Sequence, residues 1–263
     1  MEIGALSSLS SLFAKDVFDY CKPYPKYDNI VFFDCETTGL NAHKDDRIIE
    51  LAAIQVTKTG LIRKEDMFVR LPPGRHIPAK IVELTGITDS MLRTGVSERE
   101  CARVFSSMMT NNTLLVAHNA QFDCGFAGYM FIRHMAEHPA WLRSFVQADY
   151  LDTLTVFRDR KAKPHKLSDA ITAYGLEGKV QNTHRAIDDV WALFEVTKAM
   201  AAERDDLITY VNIFGYPKKY GVSGKTLKKV RYQAQSYADG MKPLEATLPE
   251  VVRRIWPDRI GTA

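Results

Sequence analysis

The sequence lacks long hydrophobic runs: none of its 263 residues lie in a stretch approaching the ~18 consecutive apolar residues of a membrane-spanning helix. Its N-terminus also lacks the positive charge of a secretory signal, because Glu2 stands there and serines interrupt the apolar residues that follow. Cysteine is scarce, with four scattered residues and no C-x-x-C pair. These absences argue against a membrane anchor, a disulfide scaffold and a cysteine zinc site, and they predict a cytoplasmic protein.

The net charge is small, at +3, in a composition of 46% hydrophobic and 25% charged residues that is typical of globular proteins. The length predicts one to two domains with a core that needs no disulfide or structural zinc. The charge is unevenly distributed along the chain. Residues 201–263 hold 11 Lys and Arg against 7 Asp and Glu, whereas residues 1–200 hold 24 against 25. The excess of positive charge therefore lies in the C-terminal region.

Hydrophobic patterning divides the middle of the chain into strands and helices. Short β-prone runs predict strands at 30–33, 48–56, 61–71, 114–117 and 145–151. Helical patterns cover 77–109, 120–134, 166–174 and 185–202, and a short N-terminal helix is predicted from Leu9 to Val17. A break at Gly60 predicts an antiparallel hairpin from the second and third strands. This order predicts an α/β domain with a mixed sheet.

Two acidic residues, Asp34 and Glu36, stand at the end of the first predicted strand. Side chains alternate along a strand, so both carboxylates point to one face and Cys35 points to the other, where it is expected in the core. Paired carboxylates at the end of a buried strand are favourable if a cation lies between them. The alternative is that they begin a solvated loop.

Two further acidic residues lie where helices begin. Asp123 follows the fourth strand in the string VAHNAQFD, and Asp189 opens a late helix in HRAIDDV, five residues after His184. Taken singly, each acid is explained as an ordinary residue of a helix N-terminus, and His184 as a surface or capping histidine. The combination of these residues and their order along the chain are more specific than any one of them.

In combination, the motifs FFDCETTGL, RIIELAAIQV, LTGIT, VAHNAQFD, LDTLTVFR and HRAIDDV resemble those of the DEDDh (DnaQ-like) 3′→5′ exonucleases. The similarity covers about residues 28–200 and is nearest in character to the PolC-type and epsilon-like exonuclease domains of DNA polymerase III. It implies a ribonuclease H-like fold, with a mixed five-stranded sheet flanked by helices. It also implies an exonuclease domain at 28–203. The change in sequence character on either side of this domain predicts a lead-in at 1–27 and a basic, aromatic appendage at 204–263.

The resemblance implies that Asp34, Glu36, Asp123 and Asp189 bind two divalent metal ions. Four carboxylates without cysteine form a hard oxygen site that favours Mg²⁺ or Mn²⁺ over zinc. His184 would be the general base that takes a proton from the attacking water. Neighbouring helical positions diverge by about 100°, so Asp188 and Asp189 do not easily face the metals together, and the spacing in the resembled family implies that Asp189 is the ligand.

Weaker expectations concern contacts with the substrate. The resemblance implies that residues beside the motifs contact the terminal or penultimate nucleotide, although packing or turn formation explains each position equally well. These residues are Thr37, Thr38, Leu40, Ile87, His118, Asn119 and Phe122.

The C-terminal region interleaves basic and aromatic residues and contains no acid between Leu207 and Ala238. This pattern is typical of single-strand binding through phosphate contacts and base stacking. A small subdomain with aromatics in its core, or a dimer or partner contact, explains it as well. A phosphate-loop interpretation of GVSGKT fails because Lys219 stands where glycine is required. The basic candidates are Lys218, Lys219, Lys225, Lys228, Lys229 and Arg231.

The leading hypothesis is a DNA-directed 3′→5′ exonuclease of proofreading or repair that acts on a free 3′ end and releases nucleoside 5′-monophosphates. The alternatives are an RNA-directed exonuclease of the same fold and a non-catalytic nucleic-acid-binding module. Because 263 residues leave no room for a polymerase domain, any DNA polymerase partner would act in trans.

Overall fold

The computed structural model describes residues 27–57, 62–222 and 226–235. Its main sheet has five strands in the order β3-β2-β1-β4-β5. They are β1 (Asn29–Thr37), β2 (Ile48–Thr57), β3 (Ile62–Phe68), β4 (Thr113–Ala117) and β5 (Asp149–Asp152). The helices are α1 (Ala79–Thr85), α2 (Asp89–Arg93), α3 (Glu98–Ser107), α4 (Ala120–Arg133), α5 (Pro139–Gln147), α6 (Thr153–Arg160), α7 (Leu167–Ala173) and α8 (Ala186–Glu203).

Strand β1 lies at the centre, antiparallel to β2 and parallel to β4, while β4 is parallel to β5. The mixed five-stranded sheet and the β2–β3 antiparallel hairpin are therefore confirmed. Because β1, β4 and β5 run in the same direction, their carboxyl ends meet at one edge of the sheet. The helices that follow β4 and β5 begin at that edge, where an open α/β sheet forms its ligand sites.

A hydrophobic core covers each face of the sheet. On one face Phe32 packs edge-to-face on Phe194 of α8, with ring centroids 5.2 Å apart. On the other face Phe33 packs on Phe105 of α3, at 5.1 Å. Each buried phenylalanine contributes roughly 1.5–3 kcal/mol through the apolar area removed from water. Cys35 lies on the Phe33 face and is buried, so its predicted place in the core is confirmed.

Four predicted elements differ from the structure or lie outside the residues that it describes. The fifth strand begins at Asp149, and residues 145–147 belong to α5, because Pro139 starts a helix that buries Phe145 against α4. The helical region at 77–109 consists of three short helices, and α1 ends at Gly86 in the left-handed conformation (φ 71°). The predicted N-terminal helix and the turn at Gly60 lie outside the described residues.

The C-terminal region packs against the domain beside β5. A 3₁₀ turn (Leu207–Tyr210) leads to a parallel pair of strands, β6 (Ile213–Pro217) and β7 (Arg231–Gln235). Tyr210 and Phe214 are buried. Some of the described aromatic residues of this region therefore belong to the hydrophobic core. This agrees with the alternative in which the region is a small subdomain with aromatic residues in its core. Across the described ranges, no helix has the length and hydrophobicity to cross a membrane.

Candidate active site

Strand β1 delivers the first two acids to the edge where the parallel strands end. Asp34 and Glu36 lie on the face of the sheet that α8 covers, two residues apart along β1. Across the β1–β2 ladder Glu36 is paired with Glu50, and the ladder is irregular between Glu36 and Thr37. The ladder irregularity coincides with the turn of the chain out of the sheet.

The third acid reaches the same place from α4. Asp123 lies in the first turn of this helix and is buried. Its Oδ1 accepts a hydrogen bond from the Cys35 backbone N–H at 3.1 Å, which joins the start of α4 to the end of β1. Asn119 precedes α4 with φ at 73°, a left-handed conformation that asparagine tolerates better than most residues. The tight turn at Asn119 lets α4 begin directly over the sheet edge.

The fourth acid and the histidine come from the segment that opens α8. Donor atoms of Glu36, His184 and Asp189 all lie within 4.8 Å of one another. His184 is exposed and adopts a left-handed backbone conformation (φ 57°). Asp189 is buried, whereas Asp188 is exposed and accepts a hydrogen bond from Thr183 Oγ1 at 2.6 Å. The two neighbouring aspartates thus occupy different environments.

The electrostatics of the cluster oppose its ionisation in the absence of a cation. Burial, and then the negative charges of Asp123 and Asp189, raise the pKa of Asp34 well above its ordinary value. Burial and the charge of Asp189 raise the pKa of Glu36 to about 7. Burial raises the pKa of Asp189 to about 7, although hydrogen bonds from the Thr183 backbone and the Asn182 side chain act in the opposite direction. Burial also raises the pKa of Asp123, against the hydrogen bond from Cys35.

The residues present fit a divalent cation. Asp189 Oδ1 is buried and has no hydrogen-bond partner in the part of the chain that the structure describes. Such an orphaned oxygen, aimed among other carboxylates, costs free energy unless a ligand satisfies it. The donor set of carboxylate oxygens and one imidazole nitrogen suits a hard divalent ion. The cluster is therefore a candidate metal centre.

An ion pair between the buried Glu50 and the partly exposed Arg185, which the sequence analysis missed, joins the opening of α8 to β2. Glu50 is 0% exposed and accepts hydrogen bonds from Arg185 Nε (3.0 Å), Arg185 Nη2 (2.7 Å) and the Ala186 backbone N–H (2.9 Å). The Arg185 guanidinium also lies over the Phe68 ring, 4.9 Å from its centroid. Because Arg185 directly follows His184, this pair fixes the backbone beside the histidine. The signal in the sequence was a glutamate inside the apolar run IIELAAI.

Asp152, at the carboxyl end of β5, was also missed and supports the turn before α4. Its Oδ1 accepts hydrogen bonds from the backbone N–H groups of Asn119 (2.9 Å) and Ala120 (3.1 Å). The same carboxylate accepts from Leu154 N and Thr155 Oγ1 at the start of α6. Asp152 thereby joins two helix N-termini at the sheet edge. The string LDTLTVFR marked this position, but nothing in it indicated the contact with Asn119.

The predicted substrate-contact residues differ in how much surface they offer. Leu40 is 80% exposed, whereas Ile87 is fully buried among Ile49, Ile77 and Leu92. Of the two, only Leu40 offers a side-chain surface to a ligand. The remaining positions are mixed: Thr37 and Thr38 are buried, Phe122 is half-buried against Phe126, and Asn119 is exposed.

His118 is tied into the protein on both sides of its ring. Its Nδ1 lies 3.0 Å from Thr153 Oγ1, and its Nε2 lies 3.1 Å from the His165 carbonyl oxygen. Burial lowers the pKa of this imidazole. Its visible role is to connect the end of β4 to α6 and to the loop before α7.

The basic residues of the C-terminal region are not equivalent. Lys229 binds Asp149 at 2.5 Å and donates to the Gln147 carbonyl at 2.7 Å, so its ammonium group anchors β7 to the domain. Arg231 is exposed and contacts Gln233. Lys218, Lys219 and Lys228 are exposed, and Lys225 lies outside the described residues.

Comparison with known proteins identifies the family of the chain. The family model for exonucleases of the RNase T type matches residues 31–197. DNA polymerase III PolC-type from Bacillus subtilis is 36% identical over 167 residues, and that from Thermotoga petrophila is 31% identical over 170. These matches cover 63% and 62% of this chain and 11% of each relative, so the chain spans about one tenth of their length.

Solved structures show the same fold at lower identity. Exonuclease I of E. coli, in complex with a dA16 oligonucleotide, has a TM-score of 0.60 and 23% identity over 70% of this chain and 42% of that one. Cell-death related nuclease 4 has a TM-score of 0.55 and 18% identity, covering 68% and 65%. Both likenesses concern the fold alone. Together with the family match, the sheet-edge acids and the relatives, they lead to one conclusion: the chain belongs to the RNase T exonuclease family, within the DEDDh exonuclease superfamily.

Proposed function

We propose that this protein is a 3′→5′ exonuclease that uses two Mg²⁺ or Mn²⁺ ions to hydrolyse single-stranded DNA, releasing nucleoside 5′-monophosphates in proofreading or repair. One observation carries the proposal: Asp34, Glu36, Asp123 and Asp189 converge on one sheet edge, beside His184, with an orphaned oxygen on Asp189. Burying several carboxylates close together is unfavourable unless a cation or protons neutralise them.

The four carboxylates would hold the ions, which supply Lewis-acid stabilisation of the charge that develops on the phosphodiester oxygens. His184, exposed at the edge of the cluster, would take the proton of the attacking water. The Glu50–Arg185 pair holds the backbone next to His184, and Asp123 ties α4 to β1. The residues of the chain therefore position the acids and accept the proton.

The names of the related proteins support the choice of DNA as substrate. The named relatives are DNA polymerases, and the Exonuclease I structure holds a deoxyadenosine oligonucleotide. We propose a DNA polymerase as the partner because the same relatives are DNA polymerases. RNA remains the alternative substrate because sugar choice depends on contacts at the 2′ position.

The test uses matched single-stranded DNA and RNA, labelled at either end, incubated with Mg²⁺, Mn²⁺ or EDTA. We expect stepwise shortening of 5′-labelled DNA and early release of a labelled mononucleotide from 3′-labelled DNA, with no reaction in EDTA. Faster shortening of RNA would replace the DNA assignment by the RNA alternative. The absence of digestion with every metal would overturn the proposed activity and favour a non-catalytic binding module.

A further inference from the structure

A groove of about 220 Å³ lies beside the segment 84–88, outside the acid cluster. One wall is the chain that continues from β3 through Arg70 and the turn Pro72–Arg75, and the other is α2. Val69 N donates to the Ile49 carbonyl at 2.9 Å, and Ile49 is the neighbour of Glu50 in β2. Since Glu50 pairs with Glu36, the groove opens at the same end of the sheet as the candidate active site.

The groove is lined by three arginines, Arg70, Arg75 and Arg93, and by one acid, Asp89. Asp89 is already engaged, because its carboxylate oxygens lie 2.6 Å from His76 Nδ1 and 2.9 Å from the Ile77 backbone N–H. The hydrogen bond from the Ile77 backbone, followed by that with His76, lowers the pKa of Asp89. The Asp89 carboxylate is therefore charged, and its oxygens are already engaged by residues of the groove wall. The positive charge of the arginines is therefore not matched by carboxylates in the groove.

The arginines have weak partners or none in the ranges that the structure describes. Arg75 pairs with Asp45 at 3.2 Å, but the side chains are 36% and 71% exposed. A pair so open to water contributes about 0–1 kcal/mol, and a phosphate can replace the carboxylate. Arg70 and Arg93 make no ion pair within 4.0 Å with any described residue. Guanidinium groups without partners are suited to bidentate contacts with phosphate.

The groove is continuous with the rim of the candidate active site. Arg75 Nη2 donates to the Asp45 carbonyl at 2.5 Å, and Asp45 belongs to the loop that connects β1 to β2. At the start of this loop Thr38 Oγ1 contacts Asp46 at 3.2 Å. A strand whose 3′ end entered the acid cluster would therefore meet this loop and then the arginines.

The floor of the groove is rigid. Ile77, Ile87 and Leu92 form a small buried cluster with Ile49 of β2, and Ile87 lies in the segment 84–88. The paired prolines at 72 and 73 fix the backbone of the turn that ends in Arg75, whose N–H donates to the Pro72 carbonyl at 3.1 Å. Such preorganisation lowers the entropy cost of binding an extended ligand.

We propose that this arginine groove, defined by Arg70, Arg75 and Arg93, binds the phosphodiester backbone of a single-stranded substrate on the 5′ side of the nucleotide that is being removed. The proposal rests on the proposed function, and it narrows the substrate class to polynucleotides long enough to reach from the acid cluster into the groove. Three spread cations suit a polyanion better than a single free phosphate. Dinucleotides would not engage them.

The test compares the full chain with the triple variant Arg70→Ala, Arg75→Ala, Arg93→Ala on oligonucleotides from 2 to roughly 20 nucleotides. For the longest substrate we expect KM to rise about 10-fold or more while kcat changes little, because none of the three arginines belongs to the acid cluster. The effect on kcat/KM is expected to shrink as the substrate shortens. A matched control removes three exposed arginines elsewhere: Arg99→Ala, Arg103→Ala and Arg143→Ala.

A binding measurement separates this proposal from the proposed function. In EDTA, fluorescence anisotropy of a labelled single strand reports affinity without hydrolysis. Affinity falls as the salt concentration rises, so a plot of log affinity against log salt has a negative slope. Each phosphate that an arginine neutralises on a single strand makes this slope steeper by about 0.7, and we therefore expect the slope of the groove variant to be shallower by about 2. An unchanged salt dependence in a folded groove variant would overturn the proposal that the groove binds the phosphodiester backbone. An equal change of the salt dependence in the control variant would also overturn it. Weaker binding to a blunt duplex but not to a single strand would also contradict it.

Discussion

Buried acids occur in two kinds of environment in this molecule. Asp149 accepts hydrogen bonds from Tyr27 Oη and Asn212 Nδ2, and Asp159 accepts one from Tyr210 Oη, while Glu50 is paired with Arg185. At the end of β1 the acids face one another, and Asp189 Oδ1 has no described partner. The first kind stabilises the fold as it stands.

The second kind is stabilised only when something binds it. Burial, together with the negative charges of neighbouring acids, raises the pKa of Asp34, Glu36 and Asp189, so protonation of the metal-free cluster is favoured. Burial alone therefore does not mark an acid as part of a ligand site, and the mutual proximity of these acids at the sheet edge is what sets them apart. Four substitutions or conditions test this distinction, beginning with the largest expected effect.

Removing one acid of the cluster should abolish the activity. We expect Asp189→Asn to lower kcat by at least ~10³-fold, since an amide is a poor ligand for the ions that stabilise the developing charge. The matched control is the neighbouring variant Asp188→Asn. We expect this variant to retain nearly full activity because Asp188 is exposed. Single-turnover digestion of a labelled oligonucleotide measures both. The reverse ranking would show that the metal ligand of α8 has been wrongly assigned.

Breaking the buried ion pair should affect stability and catalysis together. Arg185→Ala leaves Glu50 charged and unpaired next to Glu36, and we expect a loss of about 3 kcal/mol in the free energy of unfolding. We also expect kcat to fall roughly 10–100-fold, because His184 loses its neighbouring anchor. Arg63→Ala, which breaks the partly exposed Arg63–Glu65 pair, should cost under about 1 kcal/mol. Urea unfolding and steady-state kinetics provide the readouts, and equal losses in the two variants would contradict the comparison.

The cluster should make the metal-free protein less stable as the pH rises. Folding raises the pKa of Glu36 and Asp189 to about 7, so the folded state binds more protons than the unfolded state between about pH 4 and 7. The contribution of these groups to stability therefore declines across that window and stays low above it. Glu36→Gln should regain on the order of 1–2 kcal/mol at pH 8 in EDTA. Thermal unfolding measures this gain, and Mg²⁺ should stabilise the wild-type protein more at pH 8 than at pH 5.5.

The smallest effect is expected in the C-terminal region. Deleting residues 205–263 would remove the buried Tyr210 and Phe214, so point substitutions are the better test of nucleic-acid contacts there. If the exposed lysines contact the substrate, Lys218→Ala, Lys219→Ala and Lys228→Ala together should weaken single-strand binding about 3-fold. Anisotropy titrations at two salt concentrations measure the change. Unchanged binding would leave these lysines as solvated surface groups.

Local patterns in the sequence predicted the features that depend on local geometry. Alternation along β1 placed Asp34 and Glu36 on one face and Cys35 in the opposite core, and the Gly60 break predicted the β2–β3 hairpin. The order of strands and helices predicted the mixed sheet, and the family resemblance supplied the ribonuclease H-like fold and the order of the motifs. The chemical roles of the five motif residues remain predictions.

The missed features depend on contacts between distant parts of the chain. Glu50 and Arg185 are 135 residues apart, and Asp152 contacts Asn119 across 33 residues. No periodicity encodes which buried acid receives a donor from a remote segment. The fifth strand was placed too early for a related reason, since a short apolar run such as 145–151 suits a helix end and a strand equally.

Asn212 has a consequence for the outer edge of the main sheet, which β5 forms. Its backbone N–H donates to the Tyr150 carbonyl at 2.7 Å, and its side-chain Oδ1 accepts from the Tyr150 N–H at 3.0 Å, with φ at 59°. One residue thus satisfies both main-chain groups of Tyr150 on the outer side of β5, and the left-handed backbone then turns the chain away. An unpaired sheet edge invites the strand of another molecule. Asn212 leaves neither main-chain group of Tyr150 open to the strand of another molecule.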